Sequence, residues 1–357
     1  MNAVPCCTSV AERPAQTPTA RRRSSAPLPS PGQLRQRLPL SAHLTHQVET
    51  SRQAVRAVLD GADERLLVIV GPCSLHCPDA TLDYAARLAE LSVELGDRLL
   101  LVMRAYVEKP RTTIGWKGLA YDPQLDGSGD MAAGLALSRR LMLDLLDLGL
   151  PIATELLQPL AADYFEDLLS WAAIGARTSE SQIHRELVSG LDLPVGFKNG
   201  TDGGLAIACD AMRSAAHPHR HLGMDAEGQT ALLQTHGNPD THLVLRGGHQ
   251  GPNYEVEHVA QARETLERQG IAARILVDCS HANSGKDPFR QPAVLDRVLD
   301  QRLAGERALR GVMLESNLFD GNQPLAARLD YGVSITDGCL GWEGTAHLLR
   351  RTAARLG

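Results

Sequence analysis

The residues able to do chemistry stand at regular places in this chain. Cys73, Arg104, Glu155, Arg177, Lys198, Arg246, His281 and Glu315 each end or closely follow a short apolar run. Four of these are cations, and Lys109 and Arg111 join them from Glu108-Lys109-Pro110-Arg111-Thr112-Thr113. Six such charges gathered at one place repel each other unless an anion neutralises them, and guanidinium forks match phosphate or carboxylate oxygens pairwise. A substrate with several negative charges, phosphates foremost, is the expectation. Backbone amides at Ala176, Gly200 and the Gly247-Gly248 turn can add donors. The second set is Cys73, His281, Glu315 and Asp337. One thiolate, one imidazole and two carboxylates suit a borderline divalent ion such as manganese, iron, cobalt or zinc. Alone, Cys73 reads as an inert buried thiol and His281 as a hydrogen-bonded loop histidine; their shared position favours the metal. Beside bound phosphates, such an ion acts as a Lewis acid on a carbonyl. There is no G-x-x-x-x-G-K-[ST] loop and no dinucleotide glycine fingerprint after a strand.

The elements that must position these side chains are legible from periodicity. Leu66 to Val70 is a β-rich run stopped by Gly71-Pro72, and similar runs follow at Leu99 to Val102, Ile152 to Thr154 and Ala172 to Gly175. Four more lie at Val195 to Phe197, Leu243 to Leu245, Ile275 to Val277 and Val312 to Leu314. Helical spacing lies between them: Asp79 to Leu95 with Asp79 as its cap, Ala132 to Leu148, Ala162 to Leu169, Leu205 to Ala216, Val256 to Gln269 and Ala293 to Leu303. Eight strands alternating with helices predict an α/β fold, a (β/α)8 TIM barrel, in preference to an open doubly wound sheet. In such barrels the chemistry sits at the C-terminal strand ends. Helical spacing within Leu34 to Leu59 marks an N-terminal extension over about 28–60. Asp225-Ala226-Glu227-Gly228-Gln229 reads as the tip of an inserted β-hairpin over about 217–241.

Composition sets the frame. The chain has 357 residues, 43% of them hydrophobic, enough for one large barrel domain over 28–357. Its longest apolar runs are strand-length, short of the roughly 20 residues a membrane span needs. The seven cysteines (Cys6, Cys7, Cys73, Cys77, Cys209, Cys279, Cys339) are odd in number and scattered, which favours a reducing, cytoplasmic compartment. Residues 1–37 carry six arginines and one acid, a net +5 in a chain of net charge −6. Residues 1–27, rich in Pro, Ser, Thr and Arg with no periodic apolar face, read as a disordered tail. An organelle transit peptide or, at Arg21-Arg22-Arg23, nucleic-acid contact are weaker readings of that tail; no nucleic-acid or membrane partner is expected. Cys73-x-x-x-Cys77 invites a redox or zinc reading, and Cys77 as a small loop residue is the plainer one. Five of 13 histidines fall in His217 to His242, at spacings that match an exposed loop better than a second metal site.

Seven strings, taken in order, resemble the microbial type I class of 3-deoxy-D-arabino-heptulosonate 7-phosphate (DAHP) synthases. They are Gly71-Pro72-Cys73-Ser74, Lys109-Pro110-Arg111-Thr112-Thr113, Gly175-Ala176-Arg177-Thr178-Ser179-Glu180-Ser181, Gly196-Phe197-Lys198-Asn199-Gly200, Leu245-Arg246-Gly247-Gly248, Ser280-His281-Ala282-Asn283-Ser284 and Ser334-Ile335-Thr336-Asp337. The resemblance runs from about Leu28 to the C-terminus.

It implies a 3-deoxy-7-phosphoheptulonate synthase, which opens the shikimate pathway by condensing phosphoenolpyruvate, erythrose 4-phosphate and water to the seven-carbon product and phosphate. By similarity, Arg104, Lys109, Arg177, Lys198 and Arg246 hold phosphoenolpyruvate, and Arg111 and Thr112 take the aldose phosphate. Lys117 and Glu155 match positions lining the same pocket; Cys73, His281, Glu315 and Asp337 match the metal ligands. Lys109 or a metal-bound water would supply the proton to the aldose oxygen. The resemblance further implies an aromatic amino acid effector, Phe, Tyr or Trp, at the N-terminal extension, Leu187 to Leu193 and the hairpin; Asp192 and His221 depart from the Phe-responsive form, which leaves the effector open, loss of feedback included. It also implies a homo-oligomer, dimer or tetramer. The competing readings are a 3-deoxy-D-manno-octulosonate 8-phosphate synthase, against which Lys109 to Thr113 argues, and a silent homologue that binds amino acids or a partner enzyme, against which the complete site argues.

Overall fold

The computed structural model describes residues 26–111 and 113–357. The expected tail falls almost wholly outside these residues, as does Thr112. Eight parallel strands close into a barrel: β1 (Leu66–Gly71), β2 (Leu99–Arg104), β3 (Ile152–Glu155), β4 (Trp171–Ile174), β5 (Val195–Lys198), β8 (Thr241–Leu245), β9 (Ile275–Asp278) and β10 (Leu309–Glu315). Strands β6 (Arg220–Met224) and β7 (Thr230–Gln234) form the separate antiparallel hairpin, inside the expected span. Its tip closes through Asp225, whose backbone N–H donates to Gln229 C=O and whose carboxylate accepts from Gln229 N–H.

The helices are α1 (Pro31–Arg37), α2 (Ala42–Asp60), α3 (Pro78–Glu94), α4 (Met131–Asp147), α5 (Pro159–Ala162), α6 (Gln182–Ser189), α7 (Ala206–Ala215), α8 (Val256–Arg268), α9 (Gln291–Leu303) and α10 (Trp342–Leu356). Two details differ from the sequence expectation. Helix α3 starts at Pro78 with Cys77 as N-cap, so Asp79 lies in the first turn and does not cap it. The predicted helix over Ala162 to Leu169 is only the short α5 and a 3-10 turn at Glu166–Leu168. Arginines from three helices take the backbone carbonyls there: Arg35 bonds Asp163, Arg139 bonds Tyr164, and Arg52 bonds Glu166 and Leu169. Carbonyls satisfied by tertiary donors no longer need a continuous helix.

The N-terminal extension closes the bottom of the barrel. Val55, Val58 and Leu59 recur at helical spacing on α2 and pack onto inward residues of the strands, among them Leu67, Ile69, Val102, Val244 and Met313. Each such side chain contributes about 1.5–3 kcal/mol on burial, so the extension is structural as well as an appendage. It also reaches the hairpin: Gly32 N–H donates to Ala226 C=O at 2.8 Å.

One histidine expected in an exposed loop is in the barrel's lower core. His242 on β8 is fully buried and accepts a 3.0 Å hydrogen bond at Nε2 from Trp171 Nε1. Gly196 makes room for the pair, since a Cβ there would sit 2.7 Å from Trp171 Cζ2. Burial pushes the imidazole from 6.5 down to about 3. The unfolded chain therefore takes up a proton below about pH 6.5 that the folded chain refuses until about pH 3. Stability from this site is intact above pH 6.5 and drains as pH falls, by up to ~1.4 kcal/mol per unit. His242→Gln keeps an acceptor for Trp171 but does not titrate. Its urea-denaturation free energy should fall less than wild type's between pH 7 and 4; parallel losses would rule this source out.

Candidate active site

The C-terminal strand ends gather most of the residues that sequence singled out. A cavity of about 770 Å³ on that rim is lined by all six cations, Arg104, Lys109, Arg111, Arg177, Lys198 and Arg246, together with Glu155, His281 and Asp337. Lys286, from the loop beyond His281, adds a seventh cation and lies 4.0 Å from Asp337. Lys117 is exposed and is not among the lining residues; its carbonyl accepts from Lys109 N–H at 2.8 Å.

Two of the buried cations, Arg104 and Lys198, have carboxylate counter-charges. Arg104 at the end of β2 donates to Glu315 Oε1 at 2.9 Å and to Pro72 C=O at 3.1 Å, and its guanidinium lies 3.5 Å over the Tyr106 ring. Lys198 at the end of β5 lies 3.4 Å from Glu155 Oε2 and 3.3 Å from Asp278 Oδ2. Burial alone would raise the Glu155 carboxyl, but Lys198, Lys109 and Arg104 hold it below its usual range. Burial likewise opposes ionisation of Asp278, yet His281 and Lys198 depress it well below the carboxylate norm. Asp337 is lowered too, with Lys109 and His281 overcoming its burial.

Next to this ring is a thiol–carboxylate cluster. Cys73 Sγ and one oxygen each of Glu315 and Asp337 all lie within 4.8 Å of one another. Cys73 follows β1, Glu315 ends the adjacent β10, and β1 pairs with β10 in register up to Gly71 opposite Glu315. His281 lies outside this trio but on the same wall. Its Nδ1 is 2.7 Å from Ser280 Oγ and 2.9 Å from Asp278 Oδ2. A carboxylate on Nδ1 fixes the tautomer and leaves Nε2 as the basic nitrogen, as metal-binding histidines require. The donor set, one soft and several hard, fits a borderline divalent cation. Cys77 is half-buried and not part of the cluster, and the described cysteines are all free thiols. Burial, then Glu315, pushes the Cys73 thiol upward against the pull of Lys109 and Arg104. Lys109 Nζ is 3.0 Å from both Cys73 Sγ and Cys73 C=O, so it spans the cluster and the cation ring.

Sequence reasoning missed several residues here. Asp278 is the last residue of β9 and obeys the same strand-end rule as the others. Cys339 is buried with its sulfur accepting from Cys73 N–H at 3.4 Å. Asn199, Asn253 and Asn283 stitch the loops after β5, β8 and β9: Asn199 Oδ1 accepts from Arg246 N–H, Asn253 Oδ1 from Gly247 N–H, and Asn283 Oδ1 from Asn253 N–H.

Fold and site together define a (β/α)8-barrel enzyme whose rim joins a ring of cations to a Cys73–Glu315–Asp337 cluster that could hold a metal ion. The chain belongs to the DAHP synthetase I family, whose sequence profile matches residues 43–350. It is 53% identical over 326 residues to the Tyr-sensitive phospho-2-dehydro-3-deoxyheptonate aldolase of Escherichia coli, covering 90% of this chain and 91% of that one. The Phe-sensitive enzyme of the same organism is 49% identical over 325 residues, with 90% and 93% covered. A solved structure of phospho-2-dehydro-3-deoxyheptonate aldolase from Francisella tularensis superposes with a TM-score of 0.92 at 43% identity, covering 94% of this chain and 98% of that one.

Proposed function

We propose that this chain is a DAHP synthase, condensing phosphoenolpyruvate with erythrose 4-phosphate and water to give DAHP and phosphate, the entry to the shikimate pathway. The observation that carries this reading is the convergence of six cations on one cavity beside the Cys73–Glu315–Asp337 cluster. Two phosphorylated substrates supply the negative charge that such a ring needs.

Arg104, Lys109, Arg177, Lys198 and Arg246 bind phosphoenolpyruvate, with Glu155 holding Lys198 in place. Arg111 and Thr112 take the phosphate of the aldose, with Lys117 in the same loop. Cys73, His281, Glu315 and Asp337 hold a divalent cation, and manganese, iron, cobalt and zinc all suit that donor set. When bound, the ion supplies Lewis acidity to the aldehyde carbonyl of the sugar phosphate. The third carbon of phosphoenolpyruvate attacks that carbonyl, a C–C bond forms, and positive charge develops on the second carbon. Water adds to this carbon, and phosphate departs by C–O cleavage. The Arg and Lys ring stabilises the departing phosphate without reorganising. Lys109, whose Nζ is 3.0 Å from Cys73 Sγ, or a water on the ion gives the proton to the aldehyde oxygen.

Phosphate release from phosphoenolpyruvate with erythrose 4-phosphate, with and without chelator and with each aromatic amino acid, tests the reading. Release should require the four-carbon aldose and stop with chelator; turnover only with a five-carbon sugar phosphate would overturn it. Arg177→Ala removes a charged partner and should raise the apparent phosphoenolpyruvate constant roughly 10–100-fold. An unchanged constant would remove Arg177 from the substrate ring.

An aromatic amino acid acts as feedback effector where the extension meets the hairpin. The Tyr- and Phe-sensitive names of the relatives favour such an effector, and the Gly32–Ala226 contact between extension and hairpin favours that place. The enzyme works in the cytoplasm as a dimer or tetramer that uses the extension; no helix among the described residues is long and apolar enough to cross a membrane.

A further inference from the structure

Glu108 directly precedes Lys109, yet its side chain turns away from the cations. It is buried, and its two oxygens serve two different loops. Oε1 accepts from the Tyr121 hydroxyl at 2.8 Å. Oε2 accepts from the backbone N–H of Leu157 at 3.3 Å and, more weakly, of Gln158 at 3.5 Å. Three donors facing one group call for an acceptor-only side chain, which is a carboxylate. Burial pushes this carboxyl up to about 7, with the Tyr121 hydroxyl and the two amides pulling it back down.

The residue it grips is itself gripped from the far side. Leu157 C=O lies 2.8 Å from His184 Nε2, and His184 Nδ1 lies 2.8 Å from Ser181 Oγ. A carbonyl only accepts, so Nε2 carries the proton and Nδ1 accepts from the serine hydroxyl. Burial favours that neutral imidazole. Leu157 lines the rim cavity and follows Glu155 by two residues. Tyr121 belongs to the segment that also holds Lys109 and Arg111. That segment doubles back tightly: Lys109 N–H donates to Lys117 C=O, and Gly118, at φ +116°, lies against the Val107 and Glu108 backbone where a Cβ has no room.

We propose that Glu108 is a positioning residue for the condensation, fixing the Lys109–Arg111 segment against the Glu155–Gln158 loop so that the aldose-phosphate side of the cavity keeps its width. The inference rests on the function proposed above. Of the phosphoenolpyruvate ligands only Lys109 lies on the segment Glu108 holds, and its ammonium is anchored independently at Cys73 Sγ and C=O, both 3.0 Å away; Arg177, Lys198 and Arg246 come from strands Glu108 does not touch. Its removal therefore acts unequally on the two substrates.

Steady-state constants for both substrates, with titration of erythrose 4-phosphate binding, test this in Glu108→Ala, Glu108→Gln and Tyr121→Phe. Glu108→Ala leaves buried donors without an acceptor and should raise the erythrose 4-phosphate constant roughly tenfold or more, and the phosphoenolpyruvate constant less than about threefold. Glu108→Gln, which can still accept from the amides and donate to Tyr121, should restore the first constant to within about threefold of wild type. Tyr121→Phe, at the edge of the network, should show the same inequality at roughly three- to fivefold, and carries the test where Glu108→Ala does not fold. Equal effects on both constants, or none, would overturn the positioning role. Wild-type protein that releases no phosphate from the two substrates would instead sink the proposed function.

Discussion

Cys73→Ser should abolish metal binding and lower turnover by more than about 100-fold while the barrel stays folded. The expectation rests on how little else the substitution changes. Cys73 is fully buried at the end of β1, and its backbone N–H to Cys339 Sγ is untouched by the loss of its own sulfur. A serine hydroxyl is nearly isosteric but is not deprotonated at neutral pH, so a soft anionic ligand becomes a neutral hard one. The remaining partners, Glu315 and Asp337 with His281 nearby, would then bind a borderline ion far less well. Lys109 also loses the sulfur 3.0 Å from its ammonium but keeps the Cys73 carbonyl, so its position should survive. Metal content by elemental analysis, circular dichroism and phosphate release together decide the matter. A folded variant retaining a full equivalent of metal and full turnover would exclude Cys73 as a ligand.

Most of the barrel was readable because each strand is a β-rich apolar run that ends on glycine or a charge. The same punctuation locates four of the six cations, Arg104, Arg177, Lys198 and Arg246, since a strand end in this fold has only one rim to face. What periodicity cannot carry is a partner far away in sequence. Glu108 looked like part of a charged loop; its meaning lies in Leu157 and Gln158, about 50 residues on. Asp278 was hidden because Asp278-Cys279-Ser280 reads as a loop start, whereas the ladder with β10 extends through Asp278 opposite Met313. The Ala162 to Leu169 stretch has genuine helical spacing, and only the arginines arriving from α1, α2 and α4 reveal why it does not complete a helix. His242 escapes for a related reason: the turn-rich Asn238-Pro239-Asp240 stands just before it, whereas its ring is held by Trp171 inside the barrel.

The other large effect belongs to Lys198. Replacing it with methionine keeps its length and removes the one ammonium within 3.4 Å of both Glu155 and Asp278. Both carboxylates are buried, and breaking a buried pair by deleting one partner costs about 3–5 kcal/mol, because the other charge stays uncompensated. Arg104 and Lys109 still act on Glu155, and His281 on Asp278, so the loss should fall in the lower part of that range. The pH dependence has a definite sign. In wild type, Glu155 is depressed and so contributes stability above its unfolded pKa that is lost as pH falls through the lower folded value. In Lys198→Met the carboxyl rises instead, and protonation relieves the strain. The stability deficit should therefore be largest near pH 8 and shrink towards pH 4. Adding Glu155→Gln should recover part of it at pH 8, since one unpaired charge is gone, while phosphoenolpyruvate-dependent turnover stays low in both variants. Urea denaturation at the two pH values measures the first effect and phosphate release the second. A deficit that is independent of pH, or that Glu155→Gln deepens, would show that Lys198 is not the counter-charge its distances describe.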